Sequence, residues 1–76
     1  MELRLGGHLW WYAPRRVERL DIALGAPTPL AEIVAGLGLP RGEIAFATVN
    51  DTVVRLREAT VGDADRVELF PPNCGG

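Results

Sequence analysis

The stretch that most constrains this chain is short. Leu30, Ile33, Val34 and Leu37 recur at i, i+3, i+4 and i+7, which makes one apolar stripe on a helix. Before it, Thr28-Pro29 reads as a hydroxyl N-cap followed by proline at the first helical position. Gly36 and Gly38 stop the helix and Pro40 prevents its resumption. Two to three turns cannot hold themselves together in water, so the stripe has to pack onto another element.

The flanking sequence supplies strands. Residues 1–5 alternate, with Leu3 and Leu5 on one face and Glu2 and Arg4 on the other. Gly6-Gly7 then breaks or bulges that strand. An aromatic segment, His8-Leu9-Trp10-Trp11-Tyr12, and a turn at 13–16 lead to a second alternating run over 17–24, which completes a hairpin. After the helix, residues 43–49 read as a third strand, apolar on both faces and therefore central or partnered. Asn50-Asp51 is a turn, 52–54 a brief return strand, 55–60 polar and irregular, and 62–65 a further turn. The last strand, 66–70, sets Val67 and Leu69 against Glu68 and Phe70. Hairpin, helix, then further strands predict an α+β domain, a sheet of four to five strands with the helix on one side.

With 76 residues and 47% hydrophobic content, the expectation is a single folded domain over 1–76 with a flexible tail at 71–76. One cysteine cannot make an internal disulfide, which fits a reducing cytoplasm. No apolar run is long enough for a membrane span, and the N-terminus has no basic-then-apolar signal pattern. A net charge of −2 without a basic tract argues against nucleic acid. One His and one Cys far apart are too few for a zinc site. All eight basic residues are arginine, so the chain offers no lysine ammonium for an isopeptide bond to itself.

The ending is Leu69-Phe70-Pro71-Pro72-Asn73-Cys74-Gly75-Gly76. Without Cβ atoms, Gly75-Gly76 leaves its backbone and a carboxylate free to enter a narrow site on another protein. Pro71-Pro72 favours a stiff, extended start that projects away from the fold. Six residues from Pro71 reach at most ~20 Å at ~3.3 Å each. Phe70, opposite the core-facing Val67 and Leu69, is a candidate docking residue. Packing of Phe70 under a loop is the plainer alternative.

The short helix closing at Gly38-Leu39-Pro40, Val49-Asn50, Asp63-Ala64-Asp65-Arg66-Val67 and Phe70-Pro71-Pro72-x-x-Gly75-Gly76 together resemble the ubiquitin-like β-grasp sulfur carriers, the MoaD/ThiS family. The resemblance runs from Val17 onward, and the ending is closer to the small subunit of molybdopterin synthase than to the thiamine carrier. Ala64 stands where that family usually has glycine, Asp51 where Gly or a similar residue often follows the Asn, and segment 8–12 is unlike the typical small subunit.

The resemblance implies a mixed β-grasp sheet and a carrier, not an enzyme. It implies that a ubiquitin-activating-type adenylyltransferase adenylates the Gly76 carboxylate with ATP, and that sulfur then gives a thiocarboxylate. The sulfur would pass to a synthase large subunit or another acceptor, in molybdopterin or tungstopterin cofactor synthesis. It implies no bound cofactor, no metal and no catalytic side chain. Gly75 and Gly76 carry the sulfur, and Phe70, Pro71, Pro72 and Cys74 meet the partner. Cys74 also allows a thiol trap for sulfur, although the family places small residues of no fixed chemistry there. Conjugation to other proteins through Gly76, a thiamine-pathway carrier and a plain adaptor are the alternatives. His8, Trp10, Trp11 and Tyr12 read as a ligand pocket or, more simply, as hairpin packing or a partner edge. Arg15, Arg16 and Arg19 read as a solvated face, and Asp63 and Asp65 as turn residues.

Overall fold

A computed structural model of the chain describes residues 1–72. Strand β1 (Glu2–Leu5) pairs antiparallel with β2 (Arg19–Asp21), as the two alternating runs predict. Between them the chain makes two 3-10 turns, Leu9–Tyr12 and Pro14–Arg16, the second with Arg15 and Arg16 at φ 64 and 50. Next comes a two-residue strand, β3 (Thr28–Pro29), then α1 (Leu30–Gly36). β4 (Phe46–Val49) and β5 (Thr52–Val54) form a second hairpin. β6 (Thr60–Val61) pairs antiparallel with β3, and β7 (Arg66–Phe70) ends the fold. The main sheet has the order β2-β1-β7-β4-β5, with β1 and β7 parallel and the other pairs antiparallel. It is the expected mixed sheet with one packed helix, a ubiquitin-like β-grasp.

The core lies between α1 and one face of this sheet. Leu30, Ile33 and Val34 from the helix stripe meet Leu3, Leu5, Val67, Leu69 and Ala47, all buried. The registers Leu3↔Val67, Leu5↔Leu69 and Ala47↔Leu69 place these residues side by side on the inner face. Leu9, Ala13, Leu39 and Ile44 from the connecting segments and Val61 from β6 close the cluster.

The helix start corrects the sequence reading. Thr28 is not the N-cap: its hydroxyl donates to the Ala26 carbonyl at 2.9 Å, and Pro29 takes the cap position. Pairing of Thr28 with Val61 holds the backbone extended up to Pro29. The first helical N–H, that of Leu30, then donates to the Ala59 carbonyl at 2.9 Å. A neighbouring chain segment therefore caps this helix, in place of a local side chain. Gly38 stops the helix as expected, whereas Gly36 is its last residue and does not break it. Gly38 sits at φ +77, and the Leu39 N–H returns to the Val34 carbonyl at 3.2 Å, closing the helix in the Schellman manner.

β4 is shorter than its apolar run. Residues Arg41–Glu43 form a 3-10 turn, so Ile44 leaves the strand alternation and is buried while Phe46 faces outward. Asn50 and Asp51 both have positive φ, the geometry of a two-residue hairpin turn between the paired Val49 and Thr52. The departure at Asp51 is accommodated by Arg66, whose guanidinium donates to its carboxylate at 2.6 Å. Ala64 has no positive φ, so this turn does not require the glycine the family usually has there.

Turn 62–65 is pinned by its two aspartates, as read. Asp63 accepts the Leu24 N–H at 2.9 Å. Asp65 accepts the Gly62 N–H at 2.7 Å and the Asn50 amide at 2.9 Å. The backbone bond from Leu24 holds the Asp63 carboxyl below its ordinary range, and that from Gly62, aided by Asn50, does the same for Asp65. Each contribution is present above the ordinary carboxylate value of about 3.9. Each is lost as pH falls through the lower value held in the fold. Melting temperature should therefore be flat near neutral pH and fall on acidification. Asp65→Asn should lower the neutral value and flatten the acid slope, and an unchanged acid slope in that variant would contradict the assignment.

Candidate functional site

β7 is the middle strand of five, and the chain leaves it at Phe70-Pro71-Pro72. Alternation puts Glu68 and Phe70 on the outer face, as the sequence predicts, and Phe70 is half-buried there. The sequence did not reveal its partner. Phe46, directly opposite on β4, stacks on Phe70 with ring centroids 4.7 Å apart and planes 13° apart. Such a pair contributes about 0.5–1.5 kcal/mol beyond its area. Phe70 is therefore neither a lone exposed aromatic nor a side chain tucked under a loop.

The outer face is graded. On the β2–β1 side it carries Glu2, Arg4, Arg19 and Asp21, with Glu2 bonded to Arg4 at 2.7 Å and 3.7 Å from Arg19. Those guanidiniums, Arg4 first, hold the Glu2 carboxyl below its ordinary range. Toward the tail exit and β5 the face turns apolar, with Phe70, Phe46 and Val53, the last 67% exposed. An open groove runs from Phe46 and Val53 along the β4–β5 hairpin, flanked by Arg41, Arg55 and Arg57. One face of the sheet therefore has a polar half and an apolar half.

Pro71 differs from expectation. It is buried, not projecting, and its ring lies against the backbone of Gly6-Gly7. The first exposed residue after β7 is therefore Pro72, one residue later than the sequence reading placed it. Cys74, Gly75 and Gly76 lie outside the described residues.

The aromatic segment is divided between core packing and the surface. Leu9 is buried and Trp10 packs on the core, whereas Trp11 and Tyr12 face outward. Arg16 is not simply solvated: its guanidinium lies 3.9 Å from the Trp11 ring centroid. His8 meets Tyr12 edge-on and reaches Glu43 at 3.1 Å. Among the described residues, no helix is long and apolar enough to cross a membrane.

A mixed sheet gripping one short helix, with an apolar outer patch beside the exit of its central strand, places the protein among the ubiquitin-like β-grasp proteins. Within that class the chain belongs to the ThiS family, whose model matches residues 13–76. It is thus a small sulfur carrier of the ubiquitin-like type and not an enzyme. The match begins after segment 8–12, the part of the chain that resembled its relatives least. No curated protein sequence matches the chain.

Proposed function

We propose that this carrier works through the carboxylate of Gly76. A ubiquitin-activating-type adenylyltransferase converts it to an acyl-adenylate at the expense of ATP, releasing pyrophosphate. A sulfur nucleophile then displaces AMP to leave a thiocarboxylate. The thiocarboxylate delivers sulfur to an acceptor protein, by the closeness of the ending to the small subunit a molybdopterin-type synthase large subunit. The observation that supports this most is the family match, which extends through the Gly75-Gly76 ending. The five residues after Pro71 reach at most ~17 Å when extended, enough to carry a carboxylate into another protein's active site. The carrier itself supplies position and no acid or base.

Incubation with such an adenylyltransferase, ATP and a sulfur donor, followed by intact-mass spectrometry, tests the reading. The expected product is heavier by one sulfur-for-oxygen exchange. Stable higher-mass adducts with other proteins would instead identify a protein modifier.

In this reading Phe46, Phe70 and Val53 dock the partner, with the neighbouring arginines meeting acidic groups at its rim. Val53 tests docking better than Phe70 because little of the fold depends on it. Val53→Asp should weaken partner binding by roughly tenfold or more, as for a charge placed in an apolar contact. Its melting temperature should barely move. Binding of Val53→Asp at wild-type affinity in calorimetry would move the docking surface elsewhere.

A further inference from the structure

Gly6 and Gly7 leave β1 just where Pro71 leaves β7, because the two strands are parallel and adjacent. The fit between them is close. A Cβ on Gly7 would stand 2.6 Å from Pro71 Cγ and 3.3 Å from Cδ, and one on Gly6 would stand 2.9 Å from the Leu69 carbonyl oxygen. Gly7 also has φ +53, which a side chain would strain independently. The loop carrying these glycines is held on three sides. The Gly6 N–H donates to the Leu69 carbonyl at 2.8 Å, Leu9 is buried in the core, and His8 bonds Glu43 at 3.1 Å. Glu43 leads into β4, on the far side of β7 from β1, so the His8–Glu43 contact ties together the segments that flank the tail exit. If the space between Gly7 and Pro71 were filled, the loop or the proline ring would have to move, and the loop is held in the three ways just named.

We propose that Gly6-Gly7 forms a seat for Pro71, and that Gly7 is a positioning residue for sulfur loading. It sets the direction in which the chain leaves the fold, and hence where the Gly76 carboxylate is presented. This rests on the carrier reading above. Proline's fixed φ and the extended backbone it imposes on Phe70 make the exit direction depend on where the ring sits. A Cβ at Gly7 forces that ring outward by ~1 Å to reach ordinary contact near 3.5 Å. The stiff Pro71-Pro72 step passes the change on to the tail. Misplacement of a reacting group by about 1 Å can cost up to a hundredfold in rate.

The test is a double-mutant cycle of Gly7→Ala and Pro71→Ala in the full chain, assayed with an adenylyltransferase that charges the wild type. In Gly7→Ala, kcat for pyrophosphate exchange should fall roughly tenfold while KM stays within about twofold, because the docking face is untouched. Pro71→Ala should lower kcat similarly. Gly7→Ala added to Pro71→Ala should cost little more, since the atoms it would strike are gone. Equal losses from Gly7→Ala in both backgrounds would reduce its effect to backbone strain and overturn the proposal. So would an unchanged kcat.

If no adenylyltransferase charges the wild type, the carrier reading fails and the seat is judged separately. A nitroxide on Cys74, the single cysteine, relaxes whichever backbone amides it approaches. Gly7→Ala should change that set in the Pro71 background and leave it unchanged in the Pro71→Ala background. The same set of amides in all four proteins would overturn the seat.

Discussion

Gly76→Ala, or one residue added after Gly76, is expected to abolish sulfur loading and leave the fold intact. The activated atom is the carboxylate carbon, and the proposed route to it passes through a channel shaped for backbone without side chains. A methyl group at Gly76 adds bulk beside the reacting carbon, and an extra residue shifts the carboxylate by ~3.5 Å. Either displacement exceeds what positioned chemistry tolerates, so the rate should fall by at least roughly a hundredfold. Among the described residues, every member of the buried cluster precedes Pro71, away from either change. Thermal melting should match the wild type, while intact-mass spectrometry after loading should show only the unmodified chain. A normal sulfur-for-oxygen mass gain in either variant would remove Gly76 from the mechanism.

The second large effect concerns the strand that leads to this tail. Leu69 is fully buried on β7, between Leu5 of β1 and Ala47 of β4. Leu69→Ala should cost about 2–5 kcal/mol, the transfer of the lost methyls plus the cavity they leave. At about 0.05–0.15 kcal/mol per residue, a chain of 76 residues has roughly 4–11 kcal/mol in total. The variant should therefore melt at least ~10 °C lower. Val53→Ala, on the exposed side of the same sheet, should stay within about 0.5 kcal/mol. Chemical denaturation followed by tryptophan fluorescence measures both. Equal stabilities for the two variants would mean that the sheet does not bury the face assigned here.

These two predictions separate two jobs of one strand. The inner residues of β7, Val67 and Leu69, hold the domain together. The outer residue Phe70 stacks on Phe46 on the opposite face, where docking is proposed. A strand alternates its side chains, so both jobs fit into five residues without conflict. The central position of β7 adds rigidity at the exit, because β1 and β4 pair with it on both sides.

Much of this was legible in the residues. The helix stripe over Leu30–Leu37, the Gly38 stop and the alternation of β1 and β7 are local patterns, and local patterns survive folding when burial agrees with them. Glu68 and Phe70 were placed opposite Val67 and Leu69 by the same rule. The ending resembled a sulfur carrier because its residue types are unusual in that order, and the family match agrees. Where the local reading failed, a distant partner had intervened. Thr28 looks like an N-cap until Val61 pairs with it and Ala59 caps the helix in its place. The sequence reading takes Thr60 into the irregular stretch and assigns nothing to Val61, because two residues show no periodicity and β6 exists only through β3.

The class of fold, the faces of the principal strands and the resemblance that points to the Gly75-Gly76 ending follow from the residues alone. These depend on spacing within short windows, which the chain carries wherever it goes. That Phe46 stacks on Phe70, that His8 reaches Glu43 and that Pro71 rests on Gly6-Gly7 emerges from the folded arrangement. Each of those contacts joins residues at least 24 positions apart, across strands whose order no local pattern encodes. The parallel pairing of β1 with β7 brings the start of the chain beside the start of its tail, and so makes Pro71 part of the fold where the sequence read it as the first residue of the tail.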